Sequence, residues 1–281
     1  MMRNEQGYDL GITTFSPDGR IFQVEYAIEA IRHGTTAVGV KCSEGVVLVV
    51  EKRIYTLQDP DSIEKIFDVD THIGAAIAGL TADARVLVDH ARVQSQINKL
   101  TYDEDVTVKQ LTRKICDLKQ IYTQNAGVRP FGVSLLIAGI DVDGPQLLMS
   151  APSGAFWSFK AQAIGGGAPK VHDFFDEEYK PDLTLDEAIL LALRAIEQVV
   201  EGDKFNATNI EIATIHTDTK QFTRVTRKEI QKFIDKILKD KKTKPEDKKT
   251  KPEDKKTKPE DKKTKPEDKK TKSEDKKTDS E

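Results

Sequence analysis

Five consecutive apolar residues, Val46 to Val50, lie between Gly45 and Glu51. A strand with one wet face would put a polar side chain at every second position. An unbroken run of this length instead reads as a strand covered on both faces. The sheet that contains it therefore needs a further layer on each side. Residues 35–41 and 46–50 flank Cys42-Ser43-Glu44-Gly45 as a hairpin, and residues 63–69 and 72–78 flank Asp70-Thr71 as another.

The rest of the chain supplies the layers. Ser16-Pro17-Asp18-Gly19 is a turn, since proline fixes φ at the second position and Asp and Gly suit the later ones. A helix is expected over 20–33. Ile21, Val24, Ile28 and Ile31 fall on one face, Phe22 and Tyr26 form an adjoining aromatic edge, and Gly34 can close the end in the left-handed region. Helices are expected over 81–100, with Thr81 as cap, and over 106–125, with Leu111, Ile115, Leu118 and Tyr122 as a stripe. Strands follow at 132–140, 146–149 and 154–164. Gly165-Gly166-Gly167 leads into a short helix, and residues 185–201 form a longer one. A hairpin at 210–217 and 221–225 and a helix at 227–238 complete the series. Blocks of strands separated by paired helices predict an α+β chain, with antiparallel sheets between helical layers. A doubly wound fold would alternate strand and helix.

Composition changes at Lys241. From there to Glu281 a KKTKPED unit repeats every seven residues, with Ser273 replacing proline in the fifth unit. No position of the heptad is apolar and proline recurs, so the tail reads as disordered rather than as a coiled coil. The expected organisation is an N-terminal segment 1–15, one domain 16–240 and a tail 241–281. The tail holds 17 lysines against 12 acids, and the body 27 basic against 35 acidic residues, a net −8. An acidic body argues against nucleic acid as partner. The N-terminus shows no apolar signal region and no apolar run reaches membrane-spanning length, so a cytoplasmic chain without membrane contact is expected. Cys42 and Cys116 form no CxxC and read as buried small hydrophobes. The five histidines lack metal-ligand spacing, the three glycines lack the Lys-Ser/Thr of a phosphate loop, and no cofactor is implied.

The most specific stretch is Tyr8-Asp9 followed by Ile12-Thr13-Thr14-Phe15-Ser16-Pro17-Asp18-Gly19-Arg20-Ile21-Phe22-Gln23-Val24-Glu25-Tyr26-Ala27. His33-Gly34-Thr35-Thr36, Ser62-Ile63-Glu64-Lys65-Ile66, Ala78-Gly79-Leu80-Thr81-Ala82-Asp83-Ala84-Arg85 and Gly127-Val128-Arg129-Pro130-Phe131-Gly132-Val133-Ser134 continue it. Together these closely resemble the α-type subunits of the proteasome core particle, over about residues 8–238, and look most like the archaeal form. The resemblance implies a four-layer α-β-β-α sandwich of the N-terminal-nucleophile-hydrolase kind. It implies heptameric rings of identical α subunits stacked on rings of proteasome β subunits. The rings would gate the entry of unfolded protein substrates and dock a proteasome-activating AAA ATPase.

Site residues carry over by motif. Tyr8, Asp9, Pro17 and Tyr26 match the positions that hold the open gate. Two phenols and a carboxylate can close a hydrogen-bonded cluster, and proline stiffens the turn beneath it. Leu10 stands where the family usually has arginine, which removes a charge beside the pore. Lys65 matches the lysine that receives an activator's C-terminal carboxylate, with Gly34, Gly79 and Leu80 as the pocket's backbone and wall. Arg20 and Glu25 are expected to contact neighbouring subunits, because five residues apart on a helix they should not pair with each other.

Two rivals stand beside this reading. Thr35, Glu51 and Lys65 line up with the nucleophile, acidic partner and lysine of the family's catalytic β subunits. A chain cut at Gly34–Thr35 would be a threonine protease, whereas an intact chain has no free amine there and is non-catalytic. Alternatively, the chain acts alone as a monomeric adaptor.

Overall fold

In the computed structural model, residues 7–8, 10–200 and 202–243 are described. The reading of the tail as disordered therefore lies outside the described residues beyond Thr243, and so does Asp9. All the described residues belong to one compact unit.

Two five-stranded antiparallel sheets form the centre. The first runs in the order β10 (Phe222–Arg224), β9 (Ile210–His216), β2 (Gly45–Glu51), β1 (Ala37–Lys41), β8 (Ala161–Ile164). The second runs β3 (Ile66–Asp70), β4 (Ile73–Gly79), β5 (Val133–Asp141), β6 (Gly144–Ser150), β7 (Phe156–Ser158). Helices α4 (Ala168–Glu178), α5 (Leu185–Glu197) and α6 (Arg227–Thr243) pack on the outside of the first sheet. Helices α2 (Thr81–Tyr102) and α3 (Val108–Gln124) pack on the outside of the second.

The apolar run at 46–50 shows why the layers close. Val47 and Val49 point to the α4–α6 side, and Val46, Leu48 and Val50 point into the core between the sheets. Strand β5 repeats the pattern. Val133, Leu135 and Ile137 meet α2 and α3, while Leu136, Ala138 and Ile140 meet the first sheet. Period-two alternation within an all-apolar strand is what a four-layer sandwich demands. The fold class is as expected.

Helix α1 (Phe22–Arg32) lies at one end of the sandwich and sends Ile31 into the core between the sheets. Only Ala27 and Ile31 of this helix are buried, and Ile28 remains 38% exposed. The turn before it forms as read. Gly19 N donates to Ser16 O at 2.8 Å, Arg20 N donates to Ser16 Oγ at 3.1 Å, and Gly19 has φ +74°. Helices α3 and α5 open with reciprocal caps, Thr107 with Gln110 and Thr184 with Glu187.

Several expectations are corrected. Thr81 does not cap α2: Leu80 holds that position and no side chain caps it. Gly34 is not left-handed, since His33 is the C-cap of α1 in the right-handed region. The stretch 154–164 is two strands in different sheets. Phe159 N donates to Leu147 O in the second sheet, and the next residue's carbonyl, Lys160 O, accepts from Lys41 N in the first. The chain therefore changes sheet between consecutive residues. Helix α6 continues past the expected 238 and is described through Thr243. Cys42 and Cys116 are free and buried, as read.

Candidate functional site

The α1–β1 junction brings together residues from three parts of the chain. Thr35 follows α1, Glu51 ends β2, and Lys65 precedes β3. Thr35 Oγ1 donates to Glu51 O at 2.8 Å, and Thr36 N donates to Glu51 Oε2 at 3.3 Å. Lys65 Nζ donates to Thr35 O and to Glu51 O, both at 3.1 Å, and to Thr35 Oγ1. Lys65 is 8% exposed. Burial pushes its ammonium down to about 8, opposed by the Glu51 and Glu211 carboxylates and assisted by Arg53. Burial in turn raises the Glu211 carboxyl, and the Arg224 guanidinium counters it.

The threonine, carboxylate and lysine of the catalytic rival are thus neighbours, but the chemistry is incomplete. Thr35 N is a peptide amide joined to Gly34, so it cannot take a proton. Lys65 Nζ donates to three oxygens of Thr35 and Glu51, so in this arrangement it acts as a donor that holds them together. The structure therefore holds Lys65 inward on Thr35 and Glu51.

Gly34, Gly79 and Leu80 do come together. A Cβ on Gly34 would lie 2.6 Å from Gly79 N, so glycine serves backbone approach there rather than a left-handed turn. Gly79 ends β4 at φ +114°, where a Cβ would lie 2.2 Å from Gly132 O. Leu80 N donates to Gly132 O at 3.0 Å, and its side chain is 45% exposed. Lys65 joins this patch through its backbone, its carbonyl accepting from Ile77 N at 3.1 Å.

Of the gate residues, Tyr8 is half-buried in the N-terminal segment, Pro17 is exposed in its turn, and Tyr26 is half-buried on α1. Leu10 is 85% exposed. Arg20 and Glu25 pair with each other, contrary to the helical-spacing argument. Arg20 Nε donates to Glu25 Oε1 at 2.5 Å and a second guanidinium nitrogen to Oε2. Helical spacing does not apply because α1 begins at Phe22 and Arg20 folds back from the turn. Its guanidinium also sits 5.1 Å from the centre of the Phe22 ring. Each partner favours the other's charged form: the Arg20 value is raised and the Glu25 carboxyl lowered.

Two further features were not singled out from sequence. Asp83, in the first turn of α2, accepts from Arg129 at 2.6 and 2.8 Å and from Gly132 N at 2.9 Å. The Arg129 guanidinium beside it holds its carboxyl below the usual range. This clamp ties the loop before β5 to the helix that starts at Thr81, and so fixes the glycine patch. Both residues lie in quoted motifs, which was the available signal. Lys119 on α3 is fully buried, and its Nζ donates to Val133 O at 3.0 Å and to Ser150 Oγ at 2.9 Å. Burial lowers its ammonium to about 7. Among the described residues, no three His, Cys, Asp or Glu side chains gather as a metal site, and no helix is long and apolar enough to cross a membrane.

Comparison with known proteins gives a consistent result. The family described as proteasome subunit matches residues 31–215, and the N-terminal signature of A-type proteasome subunits matches residues 8–30. The proteasome alpha subunit of Methanosarcina barkeri is 50% identical over 242 residues, covering 86% of this chain and 97% of the relative. The same-named proteins of Archaeoglobus fulgidus and Pyrococcus abyssi are each 52% identical, covering 83% and 84% of this chain and 94% and 90% of their own lengths.

Proposed function

The chain belongs to the proteasome α-type subunits, and from that premise we propose that it is a non-catalytic ring and gate subunit of the core particle. It assembles with identical α subunits into a heptameric ring, stacks on β subunits that carry the threonine nucleophile, and regulates entry of unfolded substrates. It docks the C-termini of an ATPase activator and works in the cytoplasm.

One observation carries the non-catalytic reading. The N-terminal signature is folded into α1, whose Ile31 is core, and Thr35 follows without a break as an internal residue. Removing residues 1–34 would strip an anchored element from the mouth of the sandwich. Surface chemistry supports assembly. Ile28 on α1 and Val86, Val93, Ile97 and Leu100 along one face of α2 are between 38% and 86% exposed. Apolar stripes of this length are covered in stable complexes. Arg20 and Glu25 are exposed enough to exchange partners across such a ring. Tyr8, Asp9, Pro17 and Tyr26 form the gate in this reading.

Gly34, Gly79 and Leu80 offer backbone and wall to a peptide end, with Lys65 as the nearest positive charge. Capture of a carboxylate there requires the Lys65 ammonium to exchange one carbonyl for the ligand, a swap that strengthens one of its hydrogen bonds. The test is the Lys65→Ala variant assembled with β subunits. Stimulation by the ATPase should be lost while native mass spectrometry still detects rings. Unchanged stimulation refutes the docking role, and a stable monomer of the wild-type chain refutes the ring.

A further inference from the structure

A cleft of about 1110 Å³ opens beside Thr35, between the end of α1, the segment after β2 and the start of α4. Its lining is opposite in sign to the body. Arg32, Lys52, Arg53, Lys170 and Lys204 line it, against one acid, Glu51. The body as a whole has 27 basic and 35 acidic residues, so this cluster of cations is local.

Arg32 pairs with Glu29 and Lys52 lies near the Glu211 carboxyl, but other charges of the cleft have no acid against them. Among the described residues, Arg53 makes no ion pair. Lys170 Nζ donates to the neutral carbonyl Gln198 O. A neutral partner orients an ammonium but leaves its charge uncompensated. A concave wall of like charge focuses potential and attracts the opposite sign. Arg53 follows β2 and Lys170 lies on α4, so the cleft draws its charge from separate elements. The volume lies just above the usual range for small-molecule sites, which suits a short stretch of chain.

We propose that this cleft seats an acidic peptide segment of the docking partner, immediately beyond the part held at the glycine patch. The inference rests on the docking reading, because Gly34 both lines the cleft and abuts Gly79. A carboxylate-rich segment would place side chains on Arg53 and Lys170 while the partner's chain end lies at Gly34, Gly79 and Leu80. A peptide is favoured over a compact anion because the cleft is larger than one small anion fills.

The test uses the full-length chain and a dye-labelled heptaglutamate with an amidated C-terminus, followed by fluorescence anisotropy. Binding is expected, and it should weaken as salt rises from about 50 to about 200 mM. Heptalysine amide should not bind. The double variant R53Q/K170Q, which alters two side chains of the cleft lining, should weaken binding by about tenfold or more. Failure of heptaglutamate to bind, or equal binding by the double variant, overturns the proposal. So does binding of tripolyphosphate without heptaglutamate, which would make the cleft an inorganic-anion site. The amidated probe has no terminal carboxylate, so it reads the cleft separately from chain-end capture. Failure here leaves ATPase stimulation as a separate test of docking itself.

Discussion

Lys119→Met should flatten the chain's stability against pH in the alkaline direction. Lys119 is fully buried on α3, and its Nζ meets one carbonyl and one hydroxyl, with no carboxylate. Desolvation lowers its ammonium from 10.5 to about 7 in the folded chain. The unfolded chain keeps its proton up to the ordinary value, so folding releases a proton between these limits. Stability from this group is therefore fully present above about 10.5 and is lost as pH falls through about 7. At about 1.4 kcal/mol per unit, the gain between about pH 7 and about pH 9 comes to about 2 kcal/mol, once the half-protonated native state at the lower pH is included. Methionine fills the same space and does not titrate. It leaves Val133 O and Ser150 Oγ without this donor, a cost of about 1–3 kcal/mol that is independent of pH. The assay is urea unfolding of wild type and variant at both pH values and one fixed chain concentration, since assembly shifts apparent stability. The stability difference, wild type minus variant, should rise by about 2 kcal/mol from the lower to the higher pH. A difference that stays constant refutes the claim that Lys119 is buried with a displaced proton equilibrium.

Two more substitutions probe the glycine patch. Asp83→Asn removes the charge that holds Arg129 and Gly132 N, and should cost about 1–2 kcal/mol and lower the melting temperature by about 2–6 °C. The wild-type advantage should fade in acid as pH falls through the lowered Asp83 value, and a melt unchanged at neutral pH would remove the clamp's role. Gly79→Ala places a Cβ 2.2 Å from Gly132 O at φ +114° and should cost more than Asp83→Asn. Equal melting temperatures for wild type and Gly79→Ala would show that the approach is not tight.

The sandwich was legible because its central strands carry their own evidence. Val46–Val50 has no polar position, which requires cover on both faces, and α3 announces itself by its apolar stripe at Leu111, Ile115, Leu118 and Tyr122. The change of sheet at Phe159 was not legible, since no Gly or Pro marks a turn between Phe156 and Ile164. Arg20–Glu25 was misread by applying helical spacing to a residue outside the helix. Lys119 stands four residues after Ile115, on the buried face of α3, so spacing placed it in the core while its residue type suggested solvent. The direction of Lys65 depends on Thr35 and Glu51, brought next to it by the sandwich from 30 and 14 residues away, and no local pattern encodes that.

The central claim is that Thr35 remains inside an uninterrupted polypeptide. Intact mass measurement of the chain isolated from assembled particles tests it most directly. The account predicts that residues 1–34 are still attached in every particle. A mature chain whose first residue is Thr35 would contradict it.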